Sequence, residues 1–230
     1  MTTTVCGTAI AVEAGLSNDL VACSRSREAQ IDLALHFLGL VAAAIGCAIL
    51  LRFGVVSDSL AYLFGVILYI VGLFAMLVCS ALYNGWTRAK CRYLLRRLDQ
   101  AAIFLLMVGT YSPFMTSAID DPVIAAVYAL VWLIAAFGLV SLFRFPRLFD
   151  TVYQWIYVVP GWAVVVALGP LSDRVSPMVL ALICIGGGLH TVGMIFHLRE
   201  KPYGTPIWHG FVLVAAGCHY LAVINSVPTL

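Results

Sequence analysis

Residues 60–83 read LAYLFGVILYIVGLFAMLVCSALY, a run without a single charged side chain. A helix rises about 1.5 Å per residue and a bilayer's hydrocarbon layer is about 30 Å thick, so this run is long enough to cross it. The strands of a membrane barrel alternate apolar and polar residues, and this run does not alternate. It therefore reads as a transmembrane helix. Working outward, six further runs have the same character: Ile31–Leu51, Ala101–Ala118, Val123–Leu142, Val152–Leu171, Met178–Phe196 and Ile207–Ile224. The expected fold is an all-α integral membrane protein, a bundle of seven transmembrane helices.

Composition agrees. The chain is 63% hydrophobic and 10% charged, against about half and about a quarter in an average soluble domain. A water-soluble globule of this size cannot hide so much apolar side chain, which excludes a soluble enzyme, a disordered chain and a nucleic-acid binder. The net charge of +2 is too small to call for a polyanionic partner. None of the seven cysteines is spaced C-x-x-C, and Cys47, Cys79, Cys184 and Cys218 sit inside apolar runs. Neither a disulfide framework nor a cysteine-based metal site is expected.

The separators carry turn chemistry. Asp120-Asp121-Pro122 places acid and proline at the start of the fourth helix. Pro206 opens the seventh, and Gly169-Pro170 with Ser172-Asp173 marks the turn before the sixth.

Basic residues set the orientation. One side of the bundle takes Arg25, Arg27, Arg88, Lys90, Arg92, Arg96, Arg97, Arg144, Arg147, Arg199 and Lys201, and the other only Arg52 and Arg174. Eleven against two puts the N-terminus in the cytoplasm and the C-terminus outside. Residues 1–30 then form a short cytoplasmic tail, 31–226 the transmembrane domain and 227–230 a C-terminal tail. Residues 1–30 lack a basic start, and Glu13 and Asp19 interrupt their apolar stretch, so no signal peptide is expected. Leu20-Val21-Ala22-Cys23 resembles a lipoprotein cleavage box without the helix that must precede one.

Polar side chains are costly inside a bilayer and mark functional positions. In the topology above, Asp32, His36, Ser80, Asn84, Asp99, His197, Thr205 and His209 all fall in one layer at the cytoplasmic ends of the helices. Asp32/His36, Ser80/Asn84 and Thr205/His209 are i, i+4 pairs, each on one helix face. Asp99 also suits the first turn of the third helix as a cap. His190 and His219 lie deeper. At 1.5 Å per residue they stand about 12 Å and about 20 Å up their helices. That mismatch disfavours a bis-histidine haem and leaves two hydrogen-bonded core histidines. A retinal Schiff base needs a lysine within a helix, whereas Lys90 and Lys201 fall in connections.

Arg97-Leu98-Asp99-Gln100-Ala101-Ala102-Ile103-Phe104 followed by Gly109-Thr110-Tyr111-Ser112-Pro113 resembles the third-helix signature of hemolysin III proteins. These are bacterial members of the superfamily that includes the progestin and adiponectin receptors. Glu28–Gly39 with His36, Ser80-Ala81-Leu82-Tyr83, Gly161-Trp162, Gly187-Gly188 with Gly193 and Phe196, and Ile207-Trp208-His209 with Phe211-Val212-Leu213 and His219 extend the resemblance over residues 28–225. The resemblance implies seven helices, a cytoplasmic N-terminus and a zinc site near the cytoplasmic face. Its ligands are a Ser-x-x-x-His on helix two, an Asp on helix three and a His-x-x-x-His on helix seven. Three imidazoles leave a fourth zinc position open for water, whose pKa the metal lowers. A nearby carboxylate can then act on that water, a centre suited to lipid amide hydrolysis.

This chain departs from the pattern at two of the three imidazoles. Asn84 stands at the helix-two position and Thr205 at the first helix-seven position; His209 remains, with Asp99 and Ser80. Amide and hydroxyl groups are weaker zinc ligands than imidazole. Either no metal is expected, or zinc on a rearranged set of His36, Asp99 and His209 with His197 as a fourth candidate. Three function classes follow. The first is a non-enzymatic plasma-membrane protein of membrane or lipid homeostasis with a degenerate metal site. The second is a metal-dependent, ceramidase-like lipid amide hydrolase in which Asp99 and Ser80 act. The third is a pore-forming cytolysin, disfavoured by the lack of a long polar stripe on any helix. Membrane lipids are the expected partners, and the short outer connections give a folded hormone little to grip.

Overall fold

The structure, a computed structural model, describes residues 4–57, 59–85, 89–199 and 201–226, with side chains from residue 27 onward except at 56, 89 and 90. Eight helices make up the described residues: α1 (Thr4–Val56), α2 (Leu60–Gly85), α3 (Ala89–Thr116), α4 (Pro122–Arg144), α5 (Pro146–Gly161), α6 (Val164–Ser172), α7 (Pro177–Leu198) and α8 (Gly204–Ile224). There is no strand among the described residues. Residues 227–230 and the side chain of Cys23 lie outside them.

Six stretches are long and apolar enough to cross a membrane: Arg27–Val55 of α1, then α2, α4, Pro146–Ser172 (α5 with α6), α7 and α8. Their outer faces stay apolar. Phe37, Leu133, Phe137, Trp155 and Val166 are each at least 63% exposed, a surface that only hydrocarbon solvates well. α3 differs. Its first half carries Arg92, Arg96, Arg97 and Asp99, and its second half buries Ala102, Phe104, Leu106, Val108, Tyr111, Phe114 and Met115. It packs against α2, α4, α5 and α8, most extensively against α2.

The α2–α3 contact is backbone on backbone. A Cβ added at Gly72 would lie 2.6 Å from the Leu105 carbonyl oxygen, and one at Gly109 would lie 2.6 Å from that of Leu68. Small residues at such crossings let helices approach closely in a membrane. Tyr62 and Tyr69 then cross from α2 to α8, donating to the Val223 (2.8 Å) and Ala216 (3.4 Å) carbonyls.

The helix starts follow the sequence's turn chemistry. Asp121 caps α4 by accepting from the Val123 and Ile124 N–H groups, with Pro122 in the first turn. Ser176 caps α7 through the Val179 N–H, with Pro177 following. In the turn before α4, Asp120 meets Arg174 through two hydrogen bonds of 2.9 and 2.7 Å. The Arg174 guanidinium holds this carboxyl below the ordinary carboxylate range.

One expected span is interrupted. Val152–Leu171 reads as one helix in sequence but forms α5 and α6, with a break at Trp162 and Ala163. Pro160 supplies no N–H, so the ladder is already missing a bond there. Tyr111 of α3 fills the gap. Its hydroxyl donates to the Pro160 carbonyl at 2.8 Å, with the Gly161 carbonyl at 3.0 Å, and accepts the Val164 N–H at 3.0 Å. Inside a bilayer a broken helix survives only when neighbours satisfy its freed backbone groups.

Candidate functional site

α1 presents Asp32 and His36 one turn apart on its buried face, 7% and 6% exposed. The His36 ring is oriented at both nitrogens. Its Nδ1 lies 2.8 Å from the Asp32 carbonyl oxygen, which only accepts, so Nδ1 carries the proton. In the neutral ring Nε2 then holds a lone pair, and the Ser80 hydroxyl of α2 donates to it at 3.1 Å. From α8, His209 Nδ1 donates to the Asp32 carboxylate. The His36 and His209 rings meet edge to face, centroids 4.6 Å apart. One donor atom from each of Asp32, His36 and His209 lies within 4.8 Å of the other two.

Asp99 approaches this layer from α3, close to Ser80, His209 and Asp32. A cavity of ≈ 20 Å³ opens beside His36, Ser80 and His209, walled by Met76, Leu77 and Val212. That is room for about one water-sized particle. Helices α1, α2, α3 and α8 thus contribute to one polar cluster within an apolar bundle.

The other sequence candidates sit elsewhere. Asn84 is exposed and donates to the Ser80 carbonyl (2.9 Å) and hydroxyl (3.4 Å) of its own helix. Thr205 is exposed in the first turn of α8. His197, exposed at the end of α7, lies beside Trp208 (5.3 Å between centroids) and Tyr153 (6.4 Å), outside the Asp32–His36–His209 group. Asp32 is the residue the sequence undervalued. Its spacing from His36 was legible; its contact with His209 depends on the relative rotation of two helices that are 177 residues apart at these positions.

His190 and His219 also depart from expectation. Their rings stack, centroids 5.6 Å apart and 15° from parallel, at one level instead of two. Side chains lean toward the N-terminus of their own helix. α7 and α8 follow each other antiparallel, so the two rings lean toward each other and close the mismatch. His190 Nδ1 lies 3.1 Å from the Gly186 carbonyl oxygen, and His219 fills the notch left by Gly186, where a Cβ would stand 2.3 Å from Nε2.

The donor set at the positions implied by the resemblance does not suit zinc. It offers one imidazole, His209, with the Asp99 carboxylate and the Ser80 hydroxyl, and in place of the other two imidazoles an amide, Asn84, and a hydroxyl, Thr205, that both lie exposed.

A family model described as haemolysin-III related matches residues 27–220. The Hemolysin-3 of Bacillus cereus is 34% identical over 163 residues, covering 70% of this chain and 74% of that protein. The Hemolysin-3 homolog of Bacillus subtilis is 30% identical over 155 residues, 67% of this chain and 73% of that one. The human monocyte to macrophage differentiation factor is 24% identical over 195 residues, 82% of this chain and 79% of that one. No solved structure matches the chain.

Proposed function

The chain belongs to the haemolysin III-related family, and from that premise we propose that it is a seven-span protein of the plasma membrane that serves membrane or lipid homeostasis without catalysis. α3 is the seventh span in this reading. Its second half is buried among neighbouring helices, while its basic first half, exposed at Arg92 and Arg96, suits the cytoplasmic surface, so the helix does not need an apolar composition throughout. The eleven-to-two division of basic residues supports a cytoplasmic N-terminus, with the polar cluster on the cytoplasmic side.

The observation that carries the non-catalytic reading is the placement of Asn84 and Thr205. Both are exposed, and the Asn84 amide is engaged with Ser80. The family's three-imidazole centre is degenerate here. What replaces it is a set of interhelical hydrogen bonds, Asp32 to His209 and His36 to Ser80, that pin α1 to α8 and α2.

Two measurements test this. Purified protein in lipid vesicles is assayed for release of fatty acid from a ceramide. No turnover above that of Asp99→Asn is expected, and turnover abolished by that substitution would overturn the reading. In cells, membrane order followed by fluorescence anisotropy is expected to differ with and without the chain as lipid composition is shifted. An identical response would remove the homeostatic role.

A second reading, a metal-dependent lipid amide hydrolase, is supported by the carboxylate of Asp99 beside Ser80 and by the water-sized cavity next to His36 and His209. The ceramide assay decides between the two.

A further inference from the structure

Asp32, His36 and His209 combine features that hydrogen bonding alone does not require. Two imidazoles and a carboxylate converge with their donor atoms within 4.8 Å of one another. Ligating histidines typically donate their second ring N–H to a carbonyl or carboxylate, which fixes the tautomer and strengthens the other nitrogen as a ligand. His36 does this, holding Nδ1 on the Asp32 carbonyl and turning Nε2 toward Ser80. His209 Nδ1 and a carboxylate oxygen of Asp32 are already hydrogen-bond partners, which holds the α1 and α8 donors together. The ≈ 20 Å³ cavity touches His36 and His209 together, and its polar wall is Ser80.

We propose that Asp32, His36 and His209 form a binding site for one divalent transition-metal cation of the zinc class, joining α1 to α8. The donor set fits this class and not calcium or magnesium, which take six or more oxygens or keep most of their waters. Three protein ligands leave one position of a tetrahedron, and the cavity beside Ser80 holds its water. The site shares only His209 with the set implied for the family; its two other ligands come from α1. It rests on the preceding reading only in taking the family's own centre as lost. Its physical role is closure: the first span of the bundle is cross-linked to the last.

The test uses the full chain in detergent, stripped with a chelator and titrated with zinc alone. Wild type is expected to take one zinc per chain. Loss of an outer-shell partner alone costs 10–100-fold in metal affinity, so His36→Gln and Asp32→Asn are each expected to weaken binding at least about tenfold. Thr205→Val, at an exposed position of the implied family set, is expected to change nothing. Absence of zinc in wild type, or binding that survives both His36→Gln and Asp32→Asn, overturns the site. Should Asp32→Asn fail to fold, the zinc-induced rise in Tm of wild type is read against His36→Gln; no rise, or an equal rise in both, overturns it as well. Ceramide turnover would end the non-catalytic reading and leave this site standing, whereas absence of zinc would end the site and leave that reading standing.

Discussion

Arg97 of α3 and Asp150 of α5 meet through two parallel hydrogen bonds of 2.7 and 3.0 Å, with the guanidinium 4% exposed and the carboxylate 33%. Arg97 also donates to Gln100 at 3.0 Å, and Tyr157 of α5 donates to the Gln100 carbonyl at 2.9 Å. The pair and its neighbours fasten α5 to α3 at the basic end of the bundle. Removing the carboxylate strands a guanidinium that the fold keeps from water. Asp150→Ala is therefore expected to destabilise by on the order of 2 kcal/mol, below the cost of a fully buried pair because a third of Asp150 meets its surroundings. Arg96→Ala, whose guanidinium is 46% exposed at 3.7 Å from Asp150, is expected to cost less than about 1 kcal/mol. Thermal unfolding in detergent compares the two; equal losses would contradict the assignment.

Tyr111→Phe removes the acceptor of the Val164 N–H and a donor to the Pro160 and Gly161 carbonyls, of which Pro160 still accepts the Ala163 N–H. The expected cost is about 2 kcal/mol. Because the lost partner serves residues 160–164, hydrogen exchange should rise there and not along α3. Faster exchange confined to α3 would assign the tyrosine a different role.

At Gly72 and Gly109 the neighbouring backbone stands where a side chain would go. Gly72→Ala and Gly109→Ala are expected to cost about 1–3 kcal/mol each. Gly187→Ala and Gly188→Ala, with nothing within 4 Å of the added Cβ, serve as controls and should melt like wild type. Because alanine favours a helix over glycine, propensity alone would raise Tm at all four positions; a loss in the controls equal to that at Gly72 would contradict the α2–α3 contact as its cause.

The Asp120–Arg174 pair predicts a small acid-side effect. Its carboxyl, hydrogen-bonded to the Arg174 guanidinium, titrates below the ordinary aspartate range in the fold. A group depressed in this way contributes stability above its unfolded pKa and loses it as pH falls through the folded value. Asp120→Asn should therefore lower Tm slightly at neutral pH and match wild type once the medium is well below pH 4. A difference that persists in acid would point away from the ion pair. Both groups are exposed, and added salt is expected to shrink the effect.

Asn84→His with Thr205→His restores the imidazoles implied by the family resemblance. Both ligand sets use His209, so the double variant is expected to bind one zinc, as wild type does, but to keep it when His36→Gln is added. If His36→Gln removes zinc from the folded double variant as it does from wild type, the assignment of these two positions is wrong.

Much of this architecture was legible from hydrophobicity and turn chemistry. The apolar runs lie in α1 through α8, and Asp121 with Pro122 starts α4 as their order implied. The break between α5 and α6 was not legible, although Pro160 and Gly161 were in view. Proline within a membrane helix either kinks it or ends it, and the outcome depends on a hydroxyl that arrives from Tyr111, 49 residues earlier. The polar layer was legible as a list of residues at one depth. Which of them touch was not, because contact depends on helix rotation. Asp32 turns inward to His209, whereas Asn84 and Thr205 turn out. The histidine levels failed for a related reason: rise per residue places Cα atoms, and His190 and His219 extend away from theirs in opposing directions.

Synthesis proceeds from one end of the chain, and the link between Asp32 and His209 spans 177 residues of it. The ribosome delivers α1 first and α8 last. During that interval the Asp32 carboxylate has only His36, on its own helix, to answer it. A nascent chain that stops short of α8 holds that carboxylate with His36 alone, and the bundle gains its link between first and last helix only when the chain is whole.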